Sequence, residues 1–199
     1  MLNKFSKSST SLLLILVCNL GTYPALADTD TKDNKEHFSP YVDSKGNISF
    51  PEDFRTSMVH LGSWFVPSGD ASGFHDVFTE KATVEAFQKT GKFPDGATLV
   101  KELRASKSAT YTTGEGVSHA TENLKQWFVM IKSSKTRFAD NPLWGDGWGW
   151  ALFKPDDSNN HTKKNHAKNY KTDCLGCHVP AKGNDWIYTE AYPLLKLNK

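Results

Sequence analysis

Cys174-Leu175-Gly176-Cys177-His178 carries the most specific chemistry in the sequence. It has the form CxxCH, the attachment pattern for c-type haem. Two thiols at this spacing add across the two vinyl groups of one porphyrin edge. The next residue, His178, then falls beneath the iron, where a neutral imidazole nitrogen serves as proximal ligand. Cys174 and Cys177 are the only cysteines beyond residue 27, so no third thiol competes for a disulfide. Three other readings exist. CxxCH can occur by chance. A CxxC pair is redox-active in thioredoxin-like folds, but no βαβ pattern precedes this one. A zinc site could draw on His161, His166, Cys174 and Cys177, since His161-x4-His166 has ligand spacing. Both histidines, however, sit in the lysine- and asparagine-rich stretch 159–171, where histidines tend to be solvated.

Covalent haem attachment takes place on the far side of a membrane, and the N-terminus agrees with that. Lys4 and Lys7 form a positive region, Leu12-Leu13-Leu14-Ile15-Leu16-Val17 an apolar one, and Pro24 breaks the run. The run is too short to span a bilayer stably. Ala25-Leu26-Ala27 puts small residues at −3 and −1 of a cut before Asp28. Residues 1–27 are therefore expected to be a cleavable signal, with the mature protein in a bacterial periplasm or outside the cell. An uncleaved anchor fits the length poorly. A lipoprotein cut before Cys18 fits poorly too, because Val17 is bulky where a small residue is expected. No other stretch approaches transmembrane length, so no membrane span is expected in the mature chain.

The 199 residues carry a formal net charge of +2, from 24 bases and 22 acids. Lys4 and Lys7 account for that excess, and the signal holds no acid. The mature polypeptide is thus neutral, which excludes a strongly basic nucleic-acid binder and an acidic tail protein. Its size fits one domain. There is no phosphate loop and no Ser–His–Asp pattern.

Several strands must position the motif. Residues 28–40 are polar and expected to be disordered, and the folded domain is expected over 41–199. Strands are expected over 57–66, 75–79, 98–104, 124–131 and 147–153. A short helix is expected over 80–90, stopped by Gly91. Residues 107–119 are rich in Ser, Thr and Gly and are expected to be a long loop. One or two short helices are expected after residue 172. Strands separated by glycine-rich turns predict a mainly β (α+β) protein with an antiparallel sheet or barrel.

At this point the chain resembles the cytochrome P460 family of periplasmic c-type haem proteins. The resemblance spans about residues 50–197. It rests on Thr90-Gly91-Lys92-Phe93-Pro94-Asp95-Gly96, on Leu99-Val100-Lys101-Glu102-Leu103, on the CxxCH motif, and on Asp185-Trp186-Ile187-Tyr188-Thr189-Glu190-Ala191-Tyr192-Pro193-Leu194-Leu195. It implies a mainly antiparallel β fold, a homodimer, and one high-spin haem c per chain. It also implies that Lys101 is bonded to a meso carbon of the porphyrin. Strand alternation supports this separately. Lys101 shares a face with Ala97, Leu99 and Leu103, whereas Thr98, Val100, Glu102 and Arg104 face the other way. A lysine on an apolar face needs a reason, because a buried unpaired ammonium is costly. The other reading is that Lys101 snorkels to solvent or pairs with a haem propionate.

The sixth position of the iron decides function: an open site binds small ligands, whereas Met or His there favours electron transfer. Met58 and Met130 lie among apolar residues and are expected to pack in the core. His60, His75 and His119 are the remaining candidates, and none has a ligand signature. An open iron is therefore expected. Oxidising relatives are expected to carry an acid on the strand matching 124–131, to take the substrate's protons. Here that strand holds none, and the matched position falls near Val129. Glu122 lies just before it. Trp144, Trp148 and Trp150 alternate with Gly145, Gly147 and Gly149. They could form an aromatic wall against haem, or an ordinary core or dimer surface. Trp186, Tyr188 and Tyr192 are expected near the attached porphyrin edge or at the subunit contact.

Three functions follow. One is an enzyme oxidising hydroxylamine and passing electrons to a periplasmic electron-transfer protein. The second is a protein that captures nitric oxide in an apolar pocket. The third is a plain electron carrier, which the resemblance favours least. The missing acid argues for binding and Lys101 argues for enzymatic chemistry.

Overall fold

The computed structural model describes residues 38–155 and 164–196. The expected signal and most of the expected disordered segment lie outside the described residues, as does His161. Among the described residues no helix is long and apolar enough to cross a membrane.

The fold is a six-stranded antiparallel sheet with few short helices. A one-turn helix, α1 (Phe54–Ser57), leads into β1 (Val59–Val66) and β2 (Gly73–Thr79). The helix α2 (Lys81–Thr90) follows, then β3 (Thr98–Tyr111) and β4 (Gly114–Lys132). The two-residue strand β5 (Trp144–Gly145) precedes β6 (Trp148–Phe153). The order across the sheet is β1-β2-β3-β4-β6-β5. After β6 come two one-turn helices, α3 (Tyr170–Asp173) and α4 (Leu175–His178), and then three 3-10 turns, Val179–Asn184, Thr189–Ala191 and Pro193–Leu195.

Period-two patterning divides the core between the two faces of the sheet. Leu61, Val77, Leu99, Met130, Trp148 and Trp150 belong to one cluster, which the C-terminal segment covers. Met58, Val100, Trp127, Val129, Ile131 and Phe153 belong to the other. The expected separation of Lys101 and Leu99 from Val100 and Glu102 holds. On the second face the buried Glu102 carboxylate is paired with Arg55 and Arg104, and Trp127 Nε1 donates to it at 3.0 Å.

The helix α2 ends as expected. Gly91 adopts a left-handed φ of 70°, and its N–H bonds the Phe87 carbonyl at 2.7 Å. Two expectations need correction. Residues before Val59 form α1 rather than the start of β1. Residues 107–119 are not a loop: β3 and β4 continue through them as a hairpin arm, pairing Lys107 with His119 and Ser108 with Ser118. Much of the arm is exposed, so its strands carry no apolar alternation and their composition mimics a loop.

Candidate functional site

The CxxCH residues lie on the segment that crosses one face of the sheet. Tyr170, Cys174, Trp186, Ile187, Tyr192 and Leu195 share the core of that face. The segment comes so close to β1 that a Cβ on Gly62 would stand 2.2 Å from the Ala191 carbonyl oxygen. Gln88 Nε2 of α2 donates to the Leu194 carbonyl at 2.8 Å.

Between segment and sheet lie two adjoining cavities of about 350 and 250 Å³. Both are lined by Ala71, His75, Lys101, Phe128 and Met130 from the sheet side. Cys177 and His178 line both from the other side. A further cavity of about 420 Å³, between residues 133–139 and 144–148, touches none of the motif.

His178 is oriented by the backbone. Its ring Nδ1–H donates to the Trp186 carbonyl at 2.7 Å, and Trp150 packs edge-on with ring centroids 5.0 Å apart. Burial pushes its pKa down, so the imidazole is held neutral. Among the described residues Nε2 has no protein partner, the arrangement a metal-binding histidine requires. The Trp186 carbonyl is itself set by an unusual turn: Asp185 and Trp186 both have left-handed backbones, with φ of 57° and 67°. Lys132 Nζ donates to Asp185 Oδ1 at 2.7 Å and Trp148 Nε1 donates to the Asp185 carbonyl at 2.9 Å, which together hold that turn.

Cys174 is buried and Cys177 exposed, and both are free thiols. Burial pushes the Cys174 thiol up to about 12, so it is protonated at neutral pH. Tyr188 Oη donates to the Cys177 carbonyl at 2.6 Å.

Lys101 faces the motif from β3, in register with Val77 on β2 and Phe128 on β4. Burial lowers its pKa to about 8. Its Nζ lies 4.2 Å from the Phe128 ring centroid, and no carboxylate among the described residues pairs with it. A cavity-facing ammonium without a counter-ion is costly, and a bond that removes its charge relieves that cost.

The other candidates are sorted by the sheet. Met58 lies in the core of the opposite face. His60 is exposed and pairs with Asp76, and His119 sits on the hairpin arm beside Tyr111. Met130 and His75 reach the cavity. Val129 belongs to the core of the opposite face but also borders the smaller cavity, where it brings no acid. The other β4 residues that line the cavities, Gln126, Phe128 and Met130, include no acid either. Glu122 is exposed and lines neither cavity, whereas Asp70 and Asp173 line the smaller one. Trp150 does wall the smaller cavity. The glycines beside it admit other aromatic rings: Trp144 lies over Gly149 and Tyr170 over Gly145. Tyr188 and Tyr192 line the larger cavity. Phe128, the cross-strand neighbour of Lys101, was not singled out in the sequence, although alternation from Met130 would have found it. Among the described residues no group of three or more His, Cys, Asp or Glu is arranged to hold a metal ion.

An antiparallel sheet that faces a CxxCH segment across a largely apolar cavity of cofactor size defines a class, the mainly β haem proteins. The sequence profile described as Cytochrome P460 matches residues 51–189. The chain belongs to the cytochrome P460 family and is a haem protein of that type. No curated protein matches it. The residues fit a haem: a neutral histidine with a bare Nε2, two thiols beside it, apolar side chains and a lysine with no carboxylate partner among the described residues meet at the smaller cavity.

Proposed function

We propose that the chain is an exported c-type haem protein, with one haem per chain, that acts on small nitrogen species and oxidises hydroxylamine. The observation that carries this is the meeting of Lys101 and His178 across one cavity, from a strand and from the CxxCH segment. In this reading residues 1–27 direct export to the periplasm, and Cys174 and Cys177 hold the porphyrin. His178 Nε2 is the proximal ligand, with its tautomer fixed by the Trp186 carbonyl. Lys101 would hold the porphyrin at a third point, and so bonded it would carry no buried charge. When bound, the haem would supply a redox-active iron for chemistry on a small ligand. The residues around it exclude water: Val77, Leu99, Phe128 and Met130 make the sheet wall apolar. Electrons leave to a periplasmic electron-transfer protein, and the functional unit is a homodimer.

A second reading, capture of nitric oxide, draws on that same apolar wall and on the absence of an acid among the β4 residues that line the two cavities. Intact mass and ferrous absorption of wild type and Lys101→Ala, followed by hydroxylamine turnover with an artificial acceptor, test both. The proposal expects covalent haem, a strongly red-shifted Soret band that Lys101→Ala abolishes, and turnover. A bare polypeptide mass, or an ordinary c-type spectrum in both proteins, would overturn it. Covalent haem and nitric oxide binding without turnover would establish the second reading.

A further inference from the structure

Among the described residues no strand puts an acid on either cavity, the carboxylates of Asp70 and Asp173 coming from a turn and from α3 and lining only the smaller one, but β2 supplies one neutral base. His75 on β2 is buried, at 6% exposure, and lines both cavities. Its Nε2–H donates to the Ala71 carbonyl at 2.7 Å. That bond places the ring proton on Nε2 and leaves Nδ1 as an acceptor. Among the described residues nothing bonds Nδ1. Yet among the described residues no sealed side-chain nitrogen or oxygen lacks a partner. Nδ1 is therefore not sealed off, and the two cavities are the open space that His75 borders.

The neighbourhood holds the ring in place. Lys125 Nζ donates to the Asp70 and Ser72 carbonyls, both at 3.0 Å, and so pins the turn that presents Ala71. The charged groups around His75 are Lys101 on β3, Lys125 on β4, Asp76 beside it on β2 and Asp70 in the turn, with Asp173 across the smaller cavity. Burial, with Lys101 and Lys125, keeps the ring neutral. Lys101 bonded to haem would lose its charge and make a protonated His75 less costly.

We infer that His75 is the proton acceptor of this cavity, so that the site selects small nitrogen ligands bearing N–H or O–H over nitric oxide, which has neither. This rests on the reading of the cavity as the place where small nitrogen species bind. The step is acid–base only. An N–H or O–H bond of the ligand breaks, its electron pair stays on the ligand, and the proton joins Nδ1 to give an imidazolium.

The test titrates hydroxylamine into the ferric holoprotein and nitric oxide into the ferrous holoprotein, each followed by absorbance. Losing one hydrogen bond in His75→Leu is expected to weaken hydroxylamine about tenfold and to change nitric oxide by no more than about twofold. His75→Gln keeps an acceptor that cannot take a proton. It is expected to hold hydroxylamine within about threefold of wild type yet turn it over about a hundredfold more slowly. Unchanged hydroxylamine affinity in His75→Leu, or an equal loss of both ligands, overturns the inference. So does full turnover by His75→Gln, which decides the matter alone if His75→Leu fails to keep haem. Wild-type protein that binds hydroxylamine without oxidising it overturns only the oxidation reading, because the His75→Leu comparison still applies. Wild-type protein that binds no hydroxylamine overturns both.

Discussion

His178 and Trp186 are joined through ring Nδ1 and a backbone carbonyl at 2.7 Å. The carbonyl is aimed by two successive left-handed residues, Asp185 and Trp186. A backbone of this kind persists only when its surroundings over-determine it. Here Lys132 and Trp148 do so through Asp185. The orientation of the motif histidine thus depends on a lysine at the end of β4.

Asp185→Ala keeps the unfavourable φ and loses the Lys132 partner. It is expected to destabilise the holoprotein by about 1–3 kcal/mol in chemical or thermal unfolding. Asp185→Gly loses the same partner but relaxes the backbone and is expected to cost less. Both are expected to shift the iron–histidine stretching frequency. An unchanged frequency in both would show that the turn does not orient His178.

Cys174→Ala and Cys177→Ala are each expected to leave haem on one thioether and Lys101, and the double variant to retain haem after denaturation through Lys101 alone, read by intact mass. Lys101 bonded to the porphyrin would keep haem on even the double variant, so the same measurement on the triple variant with Lys101→Ala separates the two attachments. His178→Gly is expected to bind added imidazole and recover much of the wild-type spectrum.

Gly62→Ala places a methyl group against the Ala191 carbonyl oxygen. Backbone must move to admit it, at a cost of about 1–3 kcal/mol. The expected result is a C-terminal segment lifted from β1, seen as faster proteolysis after residue 170 and faster reaction of the haem with external reductants. Wild-type proteolysis and reduction rates would show that the seam does not depend on Gly62.

Glu102 tests whether the two faces of the sheet act separately. Burial alone would raise its pKa, but hydrogen bonds from Arg104, Arg55 and Trp127 outweigh this and hold the carboxyl below its usual range. A carboxylate depressed in the folded state stabilises above its unfolded pKa, and that stability is lost as pH falls through the folded value. Glu102→Gln is therefore expected to lose on the order of 2 kcal/mol near neutral pH, since its arginine partners are partly exposed. Its stability should also vary less with pH in the acid range below the usual glutamate value, where the wild-type carboxylate titrates. The haem spectrum is expected to stay unchanged, because Glu102 lies on the face away from the cavity.

What could be read in advance was whatever is local or periodic. CxxCH is a run of five residues, so the motif needs no fold to be seen. Lys101 was legible because alternation with Leu99 and Leu103 puts it on a buried face. The hairpin arm was not, because strands with exposed faces lose the apolar period. The Trp186 carbonyl was invisible in principle, being backbone, and so was the Gly62 seam, which exists only through a contact over 100 residues away in the chain. His75 was one of three histidines of equal standing until β2 placed it in the cavity and left His60 outside.

Every strand of the cavity wall lies upstream of Cys174, and the segment that faces it comes last. Chain order thereby becomes an assembly order. The two cysteines can take up haem while their segment is still away from the sheet, but Lys101 can reach the porphyrin only once that segment has docked. A bond at Lys101 would therefore be the closing event of maturation, and the fraction of molecules carrying it would count those that finished folding.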